Sequence, residues 1–133
     1  MQIIPKIEDP RGNLSFIQAG ERGACPFDIA RVYWIYDVPT GRVRHGRALR
    51  NTTEMIVAMS GSFDVLLRRP GADDRRVHLC RSDRGLLVEP GTWRVIDNFS
   101  TNSVAMVLAS GPYDPAEYIE NFDELRTVIS HHR

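Results

Sequence analysis

The sequence predicts an all-β chain, a sandwich or small barrel, followed by one C-terminal helix. Three observations carry this. Short runs rich in aromatic and β-branched residues recur along most of the chain, turns containing Gly and Pro separate them, and helical periodicity appears only at the end. At 133 residues the chain forms one domain, residues 1–133, with enough material for a single hydrophobic core.

The elements follow in order. "NLSFIQA" and "DIARVYWIYDV" read as strands. In the second, alternation gives Arg31, Tyr33 and Ile35 one face and Val32, Trp34 and Tyr36 the other. "EMIVAMSGSFDVLLRRPGADDRRVHLC" reads as strand, turn at Ser60-Gly61, strand, turn at "RPGADD", strand. "RGLLVEPGTWRVIDNFS" gives two short strands around Pro90-Gly91, and "SVAMVLAS" one more. "DPAEYIENFDELRTVISHH" carries Asp114 as N-cap, Pro115 at the first helical position, and apolar residues at Tyr118, Ile119, Phe122, Leu125 and Ile129. It is expected to be one amphipathic helix over 113–131.

Seventeen basic residues balance seventeen acidic ones, which argues against nucleic acid or an anionic membrane as the main partner. Arg68, Arg69, Arg75 and Arg76 read as solvated loop charges. Arg42, Arg44, Arg47 and Arg50 leave both a solvated and a functional reading open. Cys25 and Cys80 form no CxxC pair; a disulfide between them stays open, but neither a disulfide framework nor a thiolate metal site is indicated. "MQIIPKIEDPRG" has only a two-residue apolar patch before Pro5, and no window approaches a membrane span, so a cytoplasmic protein is expected.

The stretch "GRVRHGRALRNTTE" carries the sharpest motif. The first cupin motif runs G-x5-H-x-H-x3,4-E-x6-G. Gly41, Glu54 and Gly61 fit its spacing, while Arg47 and Leu49 stand where it has histidines. The second motif runs G-x5-P-x-G-x2-H-x3-N; here Gly85 to Pro90 is one residue short, and Trp93, Arg94 and Asn98 follow, with Arg94 in the histidine place. A guanidinium offers a cation no lone pair, and Glu54 alone cannot hold a metal, so no metal or other cofactor is expected.

Over nearly its whole length the chain resembles the WxcM-like cupins that act as sugar-nucleotide 3,4-ketoisomerases on dTDP-4-keto-6-deoxyglucose. The matching segments are "DPRGNLSFIQ", "PFDIARVYWIYDV", "MSGSFDVLL" and "PGTWRVIDNFSTNSVAMVLASGPYDPAEYIENFDEL". The resemblance implies a cupin jelly-roll barrel, a homodimer that exchanges N-terminal strands, a bound dTDP-sugar, a place in deoxysugar biosynthesis and no metal requirement. In that family the segment R-G-x-H-A-H-K carries two histidines that shuttle a proton between C3 and C4. Arg44 and Ala48 keep its arginine and alanine, and Arg47 and Leu49 take the histidine places. Arg31, Tyr33 and Arg44 match the wall that holds sugar and diphosphate, and Trp93 and Asn98 keep family positions; packing and a turn hydrogen bond are the alternative readings of the last two.

Ketoisomerisation needs a base with a pKa near 7 and a group that steadies an enolate oxygen. Arginine suits the second task and leucine neither. On strand alternation His45 shares a face with Arg47 and Leu49, which makes it a candidate displaced base, with a partly exposed histidine at a strand entry as the alternative and favoured reading. Two residues along a strand shift the imidazole by roughly 6–7 Å, so the same carbon would require a shifted substrate. Arg47, Arg94 and Glu54 can form a buried charge network in which Glu54 compensates both guanidiniums in part, or an anion site. His78, His131 and His132 are expected at the surface. Two functions follow: a metal-independent isomerase using His45 or Tyr33 as base with Arg47 on the enolate, or a non-catalytic nucleotide-sugar-binding or partner subunit.

Overall fold

The computed structural model describes residues 1–20, 23–39 and 41–131, with only the backbone of 44, 45 and 129–131. Its strands are β1 (Gln2–Ile3), β2 (Lys6–Asp9), β3 (Gly12–Ser15), β4 (Arg31–Tyr36), β5 (Arg44–Leu49), β6 (Glu54–Ser60), β7 (Phe63–Arg68), β8 (Arg75–Leu79), β9 (Arg84–Val88), β10 (Trp93–Asp97), β11 (Val104–Ala109) and β12 (Tyr118–Ile119), and its one α-helix is α1 (Phe122–His131). One antiparallel sheet has the order β1-β9-β6-β11-β4, the second β12-β5-β10-β7-β8, and β2-β3 stand apart as a hairpin. This is the expected jelly-roll barrel with a helix near its C-terminal end.

Alternation builds the interior. Ile35, Ile56, Ala58, Leu86, Val88, Ala105 and Val107 from the first sheet meet Phe63, Val65, Leu79 and Ile96 from the second. The outer face of the first sheet presents Met55, Val57 and Leu108, which Ile4, Ile17, Cys25, Phe27 and Ile29 cover. On the outer face of the second, Ala48, Ile119 and Trp93 pack under Leu125, Phe122 and Val128 of α1. Both cysteines are free, Cys25 buried and Cys80 exposed. Among the described residues no helix is long and apolar enough to cross a membrane.

The end of the chain departs from the single helix expected over 113–131. Asp114 does act as a cap, its carboxylate accepting from the Ala116 amide at 3.0 Å, but the turn it starts is a 3-10 turn of only Pro115–Glu117. Tyr118 and Ile119 then run extended, paired with Leu49 and Ala48 of β5. Asn121 takes a second capping role, accepting from the Asp123 amide at 2.8 Å, and α1 starts there. Strand pairing outcompetes helix continuation because β5 is an open edge and Ile119 becomes fully buried on it.

Candidate active site

Five strands converge on one cluster inside the barrel. On the first sheet, Arg31, Ala109 and Glu54 lie in one cross-strand row, and Tyr33, Val107 and Ile56 in the next inward row. The inner face of β4 is Arg31, Tyr33 and Ile35, as alternation predicts, while Val32, Trp34 and Tyr36 are exposed. On the second sheet Arg94 lies directly opposite Arg47, and Leu49 opposite Tyr118. Like charges directly opposed across strands repel, so this pairing needs compensation from the facing sheet.

Glu54 and Tyr33 supply it. Glu54 and Arg94 are 1% and 3% exposed, too buried for either charge to stand alone. Arg94 Nε donates to Glu54 Oε1 at 2.7 Å, and its Nη2 donates to the Tyr33 hydroxyl at 2.8 Å. That hydroxyl in turn donates to Glu54 Oε2 and accepts from Arg47 Nη2 at 3.3 Å. Burial opposes the charge on Glu54, but the Arg94 guanidinium and the Tyr33 hydroxyl outweigh it and hold the carboxyl below its ordinary value. Burial pushes Tyr33 up to about 12; Arg94 opposes this, and the neighbouring Glu54 charge adds to it. The expected network therefore exists with a different wiring. Among the described residues Glu54 forms its ion pair with Arg94, and Arg47 joins the network through the Tyr33 hydroxyl.

A second set of contacts crosses the first. Arg31 Nη1 donates to the Tyr118 hydroxyl at 3.2 Å, and the Arg47 guanidinium lies 4.6 Å from the centre of the Tyr118 ring. Conversely Arg31 lies 5.1 Å from the centre of the Tyr33 ring, whose hydroxyl takes Arg47. Each arginine stacks on one tyrosine and bonds to the other. Tyr113, exposed, flanks Arg31 on its outer side at 5.7 Å. The cluster opens into a cavity of about 520 Å³ walled by Ile35, Val43, Gly46, Arg47, Trp93, Arg94 and Glu120.

The structure thus brings together Arg31, Tyr33, Arg47, Glu54 and Arg94. Trp93 reaches the cavity wall while its ring meets Phe122 of α1 edge-on at 6.0 Å. Asn98 does not join them. It sits at φ 54 beyond β10, its amide donating to Asp64 at 3.2 Å in a surface group with Arg76, His78 and Asp97. His78 is exposed, as expected, and its Nδ1 lies 2.6 Å from Asp64. The side chains of Arg44, His45 and His131, and all of His132, lie outside the described residues.

The backbone nevertheless corrects the argument for His45. The β5–β10 ladder pairs Arg47 with Arg94 but Arg44 with Ile96, so β5 spends one residue more than β10 between these pairs. Such a bulge interrupts alternation, and the inference that 45 shares a face with 47 no longer follows. Tyr118, Tyr113 and Glu120 were missed by sequence reasoning, because Tyr118 fitted the apolar stripe of the expected helix. The only signal against that helix was its mid-stretch Asn121. Among the described residues no three His, Cys, Asp or Glu side chains stand where they could share a metal ion.

Comparison with known proteins agrees with this architecture. The family model described as FdtA, WxcM-like, C-terminal matches residues 1–130. A TDP-4-oxo-6-deoxy-alpha-D-glucose-3,4-oxoisomerase of Aneurinibacillus thermoaerophilus is 35% identical over 125 residues, 94% of this chain and 88% of the relative. Among solved structures, the WlaRB TDP-quinovose 3,4-ketoisomerase of Campylobacter jejuni superposes with a TM-score of 0.87 at 36% identity, covering 93% of each chain. The QdtA 3,4-ketoisomerase of Thermoanaerobacterium thermosaccharolyticum, solved with TDP, has a TM-score of 0.91 at 29% identity over 98% of this chain and 93% of that one. On this match over nearly its full length, the chain belongs to the WxcM-like FdtA family.

Proposed function

We propose that the chain is a cytoplasmic cupin of deoxysugar biosynthesis that binds a TDP-4-keto-6-deoxyhexose in the barrel cavity and catalyses its 3,4-keto shift without a metal. The observation that carries this is the cluster at the cavity wall, where a hydroxyl and two guanidiniums converge beside a buried carboxylate. Removal of the C3 proton sends its electron pair to the C4 carbonyl oxygen. The enediolate so formed then takes that proton back from the base at C4 and passes its C3 hydroxyl proton to the C4 oxygen, which leaves a C3 ketone and a C4 hydroxyl. Arg47 steadies the oxyanion with Tyr33 beside it, and Arg31, Arg44 and Trp93 hold the nucleotide. Arg94 and Glu54 fix Tyr33 rather than touch the sugar. His45 is the candidate base. The relatives' names, a TDP-sugar oxoisomerase and ketoisomerases, support the substrate class.

One observation favours a second reading, binding without turnover. In the described cluster Tyr33 is pushed up to about 12 and Glu54 held low, so neither serves as a base near neutrality. Proton NMR of TDP-4-keto-6-deoxyglucose with the protein in D2O decides between them. Loss of the C3 proton signal above the buffer rate, abolished by Arg47→Gln, is the outcome expected of the isomerase. Nucleotide line broadening without exchange identifies a binding subunit, and neither effect removes both readings.

The working unit is proposed to be a homodimer with exchanged N-terminal strands. Ile7 and Leu14, paired across the β2–β3 hairpin, are exposed, and so are Val32, Trp34 and Tyr36 on the outer face of β4. An isolated two-stranded hairpin is marginal in water, and its apolar pair and the bare β4 face would each be covered by a second copy.

A further inference from the structure

We propose that Glu120 is the acid/base of the keto shift, the group that takes the proton from C3 of the sugar and returns it at C4; this rests on the isomerase reading above. Elimination comes first. Of the side chains that wall the cavity, Ile35, Val43 and Gly46 carry nothing that titrates, the Trp93 indole only donates, and the guanidiniums of Arg47 and Arg94 have no lone pair to offer. Glu120 is therefore the one side chain on the described wall that accepts a proton. It is also uncommitted. Glu54 is engaged by Arg94 and Tyr33, Glu117 by Asn51 and Thr52, and Glu124 by Arg50, while Glu120 enters no ion pair or hydrogen bond among the described residues.

Strand β12 gives this carboxylate its direction. Antiparallel pairing sets Tyr118 opposite Leu49 and Ile119 opposite Ala48, so the chain beyond Ile119 runs along β5 toward Arg47. Alternation turns Ile119 outward, fully buried against Leu125 of α1, and Tyr118 inward to Arg31 and Arg47. Glu120 falls on the Tyr118 side and meets the cavity there. The next residue, Asn121, caps α1 through the Asp123 amide, which anchors the chain immediately after Glu120. A carboxylate base beside an electrophilic donor is an established arrangement for proton transfer next to a carbonyl. Glu120 takes the C3 proton, the C–H electron pair forms the C3–C4 double bond, and the carbonyl pair moves to the C4 oxygen, which Arg47 steadies. The protonated Glu120 then returns its proton at C4 while the C3 hydroxyl proton passes to the C4 oxygen. No oxidant or reductant is consumed.

The test follows the C3 proton of TDP-4-keto-6-deoxyglucose in D2O by proton NMR, with TDP affinity measured by calorimetry for each variant of the full chain. Glu120→Gln, which keeps the shape and accepts no proton, should slow C3 exchange about 100-fold or more while binding TDP like the wild type. In Glu120→Ala, added formate should restore exchange in proportion to its concentration, a rescue that a merely structural side chain would not show. Exchange in Glu120→Gln at the wild-type rate overturns the proposal, leaves the isomerase reading standing and returns the role of base to His45. Slowed exchange that formate does not rescue, or that comes with lost TDP binding, also overturns it and makes Glu120 a structural residue. A wild type that exchanges no C3 proton overturns the isomerase reading and the proposal with it.

Discussion

Tyr33 sits at the centre of the cluster, giving one hydrogen bond to a buried carboxylate and receiving two from guanidiniums. Its raised value means that the folded state holds the phenolic proton more tightly than the unfolded chain, whose tyrosine titrates near 10. The associated stability is complete below pH ~10 and is lost as pH rises through about 12. Ultraviolet titration of the four tyrosines should therefore show a component that ionises only near pH 12, and Tyr33→Phe should remove it and flatten the alkaline loss of stability. A wild-type titration lacking the late component would refute the wiring around Tyr33. At this scale Arg31, Arg47, Glu54 and Arg94 were legible, because charged residues at inward strand positions seldom lack partners, and Tyr33 was legible through family likeness. Which guanidinium takes Glu54 was not legible. That choice depends on how the two sheets face each other, and local spacing carries no such information.

Within the elements, the decisive irregularity is the bulge of β5. Gly46 lies in it, and a Cβ built there would stand 2.4 Å from Trp93 Nε1. The bulge can close on the indole only because position 46 has no side chain. Gly46→Ala must push Trp93 off the cavity wall and away from Phe122, which should cost about 1–3 kcal/mol by overpacking. Urea denaturation followed by tryptophan fluorescence reads both the loss and the altered indole environment; an unchanged midpoint and spectrum would show that the contact gives way freely. The 3-10 turn is a second element with a positional task. Glu117 accepts from Asn51 and from Thr52, at 2.6 Å from the Thr52 hydroxyl, tying the turn to the β5–β6 connection and placing Tyr118 beside β5. The sequence signals for this region, Asp114 and Pro115, were read as the start of a long helix, and they start only a 3-10 turn. They could not show how soon it stops, because the competing interaction is a strand edge more than sixty residues earlier.

For the molecule as a whole, the recurrence of short apolar runs sufficed for an all-β fold with a terminal helix. The jelly-roll class came from family likeness, and sheet order was not legible at all, since pairings such as β1 with β9 join distant parts of the chain. The short strands β1, β2 and β12 have too little pattern to be seen in isolation. The bare face of β4 is the feature that reaches beyond one chain. Trp34 is 60% exposed at the middle of a strand whose inner face builds the site, so an association there would brace Arg31 and Tyr33 from behind. Trp34→Lys should convert the dimer proposed above into monomers in sedimentation velocity while leaving the far-ultraviolet circular dichroism intact. An unchanged sedimentation coefficient would place the interface elsewhere.

The Arg94–Glu54 pair, finally, constrains how this sequence can drift. Changing either residue first leaves the other charge stranded in the barrel, at a penalty of about 3–5 kcal/mol, comparable to much of a domain's stability. A change of position 94 to a neutral residue would have to arrive together with a compensating change at 54, or through an intermediate shielded by some third substitution. The two sites are epistatic by construction. The arginine at 94 is thus held in place by the single carboxylate at 54.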